Sequence, residues 1–461
     1  MVWRTLRTGR VRTSDQCGSC FTGDCGLCSG SFRRFRDDVD QGRDSDADRD
    51  LKRSRAVHMA SSRFCDGDPM SLRVTSRRRS IKTPIGRTTA ILTAVVLATV
   101  FAADAHSESK SFRSSAGPIQ VSTIASGLVH PWGLALLPDG RILVTERPGR
   151  LRLVSRDGDL SQPLKNVPAV WASGQGGLLD VVLDKSFAAN RTLYFCFAER
   201  AEGGGRTAVA RAKLGEDRLQ DVEIIFRQEG PLSSGNHYGC RIAQADDGNL
   251  FVTLGEHFNH RDEAQNLANH LGKVIRIASD GSAPADNPFV GRAGAKPEIW
   301  SYGHRNEQGL AIDPATGDLW EVEHGPRGGD EVNIIGRGKN YGWPVIGYGI
   351  DYNGARIHAS TAKEGMEQPV KYWVPSISPS GMAFYTGTLF PSWKGSLFIG
   401  ALSGKMLVRL SLKGNEVTGE ERLLQDLNER IRDVRQGPDG ALWLLTDSAA
   451  GRLLRITPAG K

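Results

Sequence analysis

A turn followed by a short β-rich strand recurs six times between residues 138 and 446, and this recurrence limits the fold more than any other feature of the chain. The segments are PDGRILVTE (138–146), ANRTLYFCF (189–197), DDGNLFVTL (246–254), ATGDLWEVE (315–323), WKGSLFIGA (393–401) and PDGALWLLT (438–446). With Ile142, Leu193, Leu250, Leu319, Leu397 and Leu442 as equivalent points, the intervals are 51, 57, 69, 78 and 45 residues. Units of that size suit four-stranded blades carrying inserted loops. The chain is therefore expected to be all-β, a six-bladed β-propeller with four-stranded antiparallel blades. A pair of Gly-rich β-sandwiches is the competing arrangement, and the near-equal units favour the ring. The opening strand, 119–124, and the closing strand, 452–457, are expected to share one blade. Insertions are longest between residues 254 and 397, and function is expected to concentrate there, because loops on a rigid scaffold carry sites.

Charge divides the chain. The 461 residues carry 59 Lys+Arg and 52 Asp+Glu, a formal +7. Residues 1–105 hold 19 basic and 12 acidic residues, and the remaining 356 hold 40 of each. The excess belongs to the N-terminal segment, so the globular part offers no basic face and nucleic acid is not expected as a partner. Residues 70–105 read as a signal peptide, with Arg73, Arg77, Arg78, Arg79 and Lys82 ahead of the apolar run ILTAVVLATVF (91–101) and an Ala-Asp-Ala ending at Ala105. That run is short for a membrane span, so no stable membrane insertion is expected and the mature domain, 106–461, is expected to be periplasmic or secreted. Residues 1–69, rich in Arg, Asp and Ser and without period, read as a disordered or mis-assigned upstream segment. Cys17, Cys20, Cys25, Cys28 and Cys65 fall there, in a spacing too tight for a zinc ribbon. Cys196 and Cys240 remain in the exported part, where an oxidising compartment permits a disulfide without requiring one.

Several chemistries are absent. Residues 106–461 contain no G-x-S-x-G, H-E-x-x-H or G-x-G-x-x-G, which weighs against serine hydrolase, zincin and dinucleotide-dependent functions. His257 and His260 read as residues of a polar, exposed loop. What remains is a gathering of charged and amide residues in the inserted loops: SYGHRNEQGL (301–310), EHGPRGGDEVN (323–333), KNYGWP (339–344) and ERIRDV (429–434). Arg430 and Arg432, two apart on a strand, project to one side. Together with Arg305 and Asn306 they suit a planar polyanion, since guanidinium forks bind carboxylates in pairs.

At this point the chain resembles the soluble, pyrroloquinoline-quinone (PQQ)-dependent aldose sugar dehydrogenases, relatives of soluble quinoprotein glucose dehydrogenase. The resemblance runs from about Gly127 to Pro458 and is carried by HPWGLALLPDGRILVTER, GQGGLLDVVL, NHYGCRIA, YGHRNEQGL, EHGPRGGDEVNIIGRGKNYGWP, SGMAFY and RIRDVRQGPDG. It implies a six-bladed propeller that oxidises the anomeric hydroxyl of an aldose to the lactone, passing hydride to PQQ and electrons on to an external acceptor. It implies that His237 is the general base, that Gln175, Arg305, Asn306, Tyr352, Arg430 and Arg432 hold the cofactor, with Lys405 a further candidate, and that Ca²⁺ polarises the quinone. Gly325 and Pro326 would offer carbonyls to that ion, and Glu331 and the backbone of Tyr341 would complete this or a second site. Departures are Asn236 in place of an Asp beside the base, Ser403 in place of a Lys, His324 in place of a Gln and Glu307 in place of a Pro. The first of these removes the charge expected to orient His237. Asp330 and Glu331 also read as turn caps. A Ca²⁺-dependent propeller lactonase and a non-catalytic carbohydrate- or partner-binding propeller are the alternative readings.

Overall fold

In the repeated segments most residues of the strand are apolar, as befits a strand covered on both faces, and the exceptions include Glu146, Glu321 and Glu323. In the computed structural model, which describes residues 109–460, five of these six strands have nearly every residue buried: Ile142–Glu146, Leu250–Leu254, Leu319–Glu323, Leu397–Ala401 and Leu442–Thr446. The sixth, Thr192–Ala201, is buried along its centre. Each is the second strand of an antiparallel blade, and six blades form a β-propeller.

Blade 1 comprises Pro131–Leu136, Ile142–Glu146 and Arg150–Val154, with a bridge from Val154 to Leu160 in place of a full fourth strand. Blades 2 to 5 have four strands each and begin with the inner strands Leu178–Leu183, Ile242–Gln244, Glu307–Ile312 and Pro379–Phe384. Blade 6 takes Ile431–Gln436, Leu442–Thr446 and Gly451–Pro458 from the end of the chain, and Ile119–Leu128 pairs antiparallel with the last of these, Ile119 opposite Pro458 and Val121 opposite Ile456. The shared blade expected from the sequence is thus present. Ser109–Phe112 adds a fifth strand at its outer edge.

Apolar side chains gather in six clusters, and each cluster lies in the seam between two adjacent blades. Leu143 and Leu153 of blade 1 meet Leu178, Phe195 and Ala210 of blade 2, and the pattern continues round to Leu445 and Leu453 of blade 6 against Leu134 and Ile142 of blade 1. The axis itself is polar and crowded. Gly309 and Gly381 sit on inner strands where a Cβ would lie 2.4 Å from the Ser380 carbonyl and 2.1 Å from Asp433 Oδ1. At the same level Arg241 is fully buried and donates to Asp180 Oδ1 (3.3 Å), Asp433 Oδ1 (2.9 Å) and the carbonyls of Gln308 and Arg432. This ion-pair plug fills the middle of the ring. No helix of the described residues is long and apolar enough to cross a membrane. The expectations for residues 1–69, for the signal segment 70–105 and for the five N-terminal cysteines lie outside the described residues.

Candidate active site

Because the six inner strands run the same way around the ring, residues just before them share one end of the propeller. Gln175, His237, Arg305, Ser378 and Arg430 all precede an inner strand. The second strands return to that end, and the residues just after them, Arg147, Glu256, His324, Leu402 and Asp447, arrive there too. Fourteen residues from this end, drawn from every blade, line a cavity of about 260 Å³, among them Arg147, Gln175, His324, Arg430, Arg432 and Asp447. A second cavity of about 280 Å³ shares Tyr352 with it and is lined by Glu256, Phe258, Arg261, Arg305 and Trp343. The site therefore draws on the whole ring, where the sequence suggested concentration between residues 254 and 397.

His237 stands on a left-handed backbone (φ 54°) in the loop before blade 3. Its N–H donates to Gln175 Oε1 (2.9 Å), and the Gln175 N–H donates to the Gly235 carbonyl (2.8 Å). Nδ1 lies 3.0 Å from Glu256 Oε2, both side chains being buried. A carboxylate there fixes the proton on Nδ1 and leaves Nε2, which has no hydrogen-bond partner among the described residues, with a free lone pair. Burial is the largest influence and lowers the imidazole pKa below its ordinary value, the Glu256 charge raises it, and Arg305 lowers it again. Glu256 is held below the carboxylate range, against its own burial, by His237 and Arg305. The orienting charge missing at Asn236 is thus supplied by Glu256, 19 residues after His237, because the turn after the second strand of blade 3 folds back over the loop before its first.

The arginines are organised by an acid that the sequence reading passed over. Asp447 Oδ2 accepts from Arg430 Nη2 (3.0 Å) and Arg432 Nη2 (3.2 Å), and Oδ1 lies 3.3 Å from His130 Nδ1. Arg432 also donates to Gln308 Oε1 (2.9 Å), yet its buried Nε has no partner. Burial pulls this guanidinium down to about 10. Arg305 donates from Nη1 to the carbonyls of His324 and Gly325 (2.9 Å each) and from Nη2 to the Tyr352 hydroxyl (3.4 Å), while its own buried Nε is unpaired. Arg147, Arg430 and Arg432 give the first cavity a cationic border, which suits an anionic planar ligand.

Gly325, Pro326, Glu331 and Tyr341 line one small cavity with Glu323 and Arg305. Carbonyls and carboxylates are hard oxygen donors, the set that Ca²⁺ accepts, and of these the Gly325 carbonyl already accepts from Arg305. Asp330 acts as the turn cap it resembles: it accepts from the Gly325 N–H (2.9 Å), the Ser376 hydroxyl and the N–H groups of Ile377 and Ser378 (2.7 and 2.8 Å), fastening the Gly325 turn to the loop before blade 5.

Of the residues named from sequence, Gln175, Tyr352, Arg430 and Arg432 border the first cavity. Arg305 borders the second. Asn306 lies behind them, fully buried, accepting from Gly239 N–H and the Gln308 amide. Lys405 is not brought in: it is exposed and donates to Asn428 Oδ1 (3.1 Å), outside the residues lining these cavities. His257, expected in an exposed loop, is fully buried with Nε2 2.8 Å from Gln228 Oε1, because its turn is packed under Tyr238. Cys196 and Cys240 form a disulfide, tying the second strand of blade 2 to the loop that carries His237.

Residues 128–455 match the family described as Glucose / Sorbosone dehydrogenase. The chain belongs to this family. An aldose sugar dehydrogenase from Escherichia coli (strain K12) is 47% identical over 346 residues, covering 74% of this chain and 93% of the relative. A crystal structure of a glucose dehydrogenase is 52% identical with a TM-score of 0.72, over 74% of this chain and 99% of that one. The PQQ-bound form of an aldose sugar dehydrogenase from Streptomyces coelicolor is 30% identical with a TM-score of 0.61, over 76% and 98%. The residues missed from sequence, Arg147, Glu256 and Asp447, share one signal: each is a charged residue one or two places after the second strand of its repeat.

Proposed function

We propose that this chain is a PQQ-dependent sugar oxidoreductase that oxidises the anomeric hydroxyl of an aldose to the lactone, with His237 as general base. The observation that carries the reading is the buried His237–Glu256 pair, its Nε2 unpartnered, beside a cavity bordered by arginines. When bound, PQQ supplies a carbonyl carbon that takes up hydride, and Ca²⁺ a Lewis acid that favours the uptake. Gln175 fixes the His237 backbone. Glu256 fixes the tautomer and, once Nε2 has taken the hydroxyl proton, stabilises the imidazolium. A neutral imidazole is the form such a base needs near pH 7, and burial together with Arg305 keeps His237 in it. Arg430 and Arg432 would meet the carboxylates of the cofactor, with Asp447 holding both forks in place. Gly325, Pro326, Glu331 and Tyr341 would offer oxygens to Ca²⁺. The Cys196–Cys240 disulfide agrees with an exported, periplasmic or secreted protein, and an external electron acceptor would reoxidise the enzyme. Adding PQQ and Ca²⁺ to the purified apoprotein and following dye reduction with glucose and other aldoses tests the reading. Dye reduction that requires both cofactor and sugar is the expected result, and lactone hydrolysis without dye reduction would establish the hydrolase instead.

A further inference from the structure

On blade 4, Glu307 pairs with Glu323, Glu323 with Glu331, and Glu321 with Asn333 across neighbouring strands. Directly opposed residues of antiparallel strands project to the same face, so four carboxylates and one amide share the side of the sheet turned toward blade 3. Glu307, Glu321, Glu323 and Asn333 are all fully buried or nearly so. Both oxygens of Glu307, Oε1 of Glu321 and Oδ1 of Asn333 lack any hydrogen-bond partner. The Asn333 amide nitrogen stands 3.3–3.4 Å from one oxygen each of Glu321, Glu323 and Glu331, a long and shared contact. His304 completes the enclosure, with Nδ1 3.5 Å from Glu323 Oε1 and Nε2 2.8 Å from the Ser301 hydroxyl. Ligand atoms of His304, Glu321 and Glu323 all lie within 4.8 Å of one another.

Neighbouring cations answer this charge only in part: Lys273 feels the charge of Glu307 without a hydrogen bond to it. Lys273, buried in the same seam, donates its three N–H groups to the carbonyls of Glu263, Ala264 and Leu271. The Arg305 guanidinium is turned to His324 and Gly325, and only its backbone N–H reaches Glu323. Buried carboxylates of one sign with idle oxygens are costly unless a cation or protons sit among them.

We propose that a divalent cation with a preference for oxygen ligands binds between Glu307, Glu321 and Glu323, with the Asn333 amide turned to offer Oδ1, on the inner side of Glu323, which borders the Gly325, Pro326, Glu331 and Tyr341 set with its other side. Three carboxylates and an amide oxygen make a ligand set of the Ca²⁺ type. The amide orientation follows from chemistry, since exchanging its oxygen and nitrogen costs no space. This inference stands apart from the oxidoreductase reading, and its test needs neither PQQ nor sugar. Calorimetric titration of the chelator-treated chain with Ca²⁺ should show one more bound ion in wild type than in Glu321→Gln or Glu307→Gln, or at least a tenfold weaker ion in each variant. Glu331→Gln should leave that ion in place. Binding by Glu321→Gln and Glu307→Gln with wild-type number and affinity overturns the proposal and leaves shared protons as the answer. Hydrogen exchange in the Glu331→Gln protein decides independently, even if the other variants fail to fold. Ca²⁺ must slow exchange in the strand Leu319–Glu323, and equal rates with and without the ion overturn the site.

Discussion

If the proposed role holds, His237→Ala is expected to cut kcat by about 100- to 10,000-fold, the usual contribution of a general base, and to leave PQQ binding intact because that role assigns the imidazole to the sugar hydroxyl and not to the cofactor. The lowered imidazole pKa sets the pH dependence. The base works when unprotonated, so turnover should hold as pH falls to about 6.5 and decline only below it. Glu256→Gln removes the charge that raises the imidazole pKa, so the acidic limb should move further down while kcat falls. A limb that moves up in a stopped-flow pH series would count against the pair. Arg430→Ala should behave differently, because a charge-assisted pair of roughly 1.5–3 kcal/mol corresponds to about a 10- to 150-fold rise in the Kd for PQQ. Partial exposure of Arg430 places it toward the lower end, and saturating cofactor should restore most of its rate and none of that of His237→Ala. At this scale the sequence was legible where a residue type is rare in its setting. Adjacent Arg and Asn in a loop, paired arginines and a lone His before a strand are such settings. Glu256 and Asp447 were not legible, because one acid after an apolar strand looks the same whether it caps a turn or grips a catalytic side chain. Lys405 failed for a related reason: spacing gives its distance along the chain and not the direction in which its turn throws the side chain.

Individual strands show why the ring could be read from the sequence at all. The second strand of each blade has neighbours on both faces, so its residues are mostly apolar and stand out between turns, LWEVE of blade 4 being the exception. The inner strands gave no such signal, since they face a polar axis and five of the six carry Gly or charge within them. Gly381 illustrates the constraint. An added Cβ would press on Asp433 Oδ1, so Gly381→Ala should disturb the Arg241 plug and cost on the order of 1–3 kcal/mol, as overpacking does, measured by denaturant unfolding. The disulfide closes a span of 44 residues. Replacing Cys196 and Cys240 together by Ala should lower stability by about 2–4 kcal/mol and should also raise hydrogen exchange in the loop carrying His237. Unchanged exchange there would show that the link holds the blades and not the site.

Among the described residues no central apolar core exists: six seams between blades carry the burial, and each depends on the two sheets beside it. Val121 is buried in the strand that completes blade 6, opposite Ile456. Val121→Pro, which removes a ladder N–H from a strand paired on both sides, should cost about 3 kcal/mol or more, and its effect should spread to the seams with blades 1 and 5 in thermal unfolding followed by tryptophan fluorescence. The closure by Ile119–Leu128 also bears on synthesis. The segment that must seal the circle is the earliest part of the ring to leave the ribosome, and the three strands it joins are the last. Blades 1 to 5 can assemble in order as they appear, yet the first-made strand has to wait, unpaired, for the full length of the chain. Closure of the ring is therefore the last step of folding in this topology, whichever of the other blades assemble first.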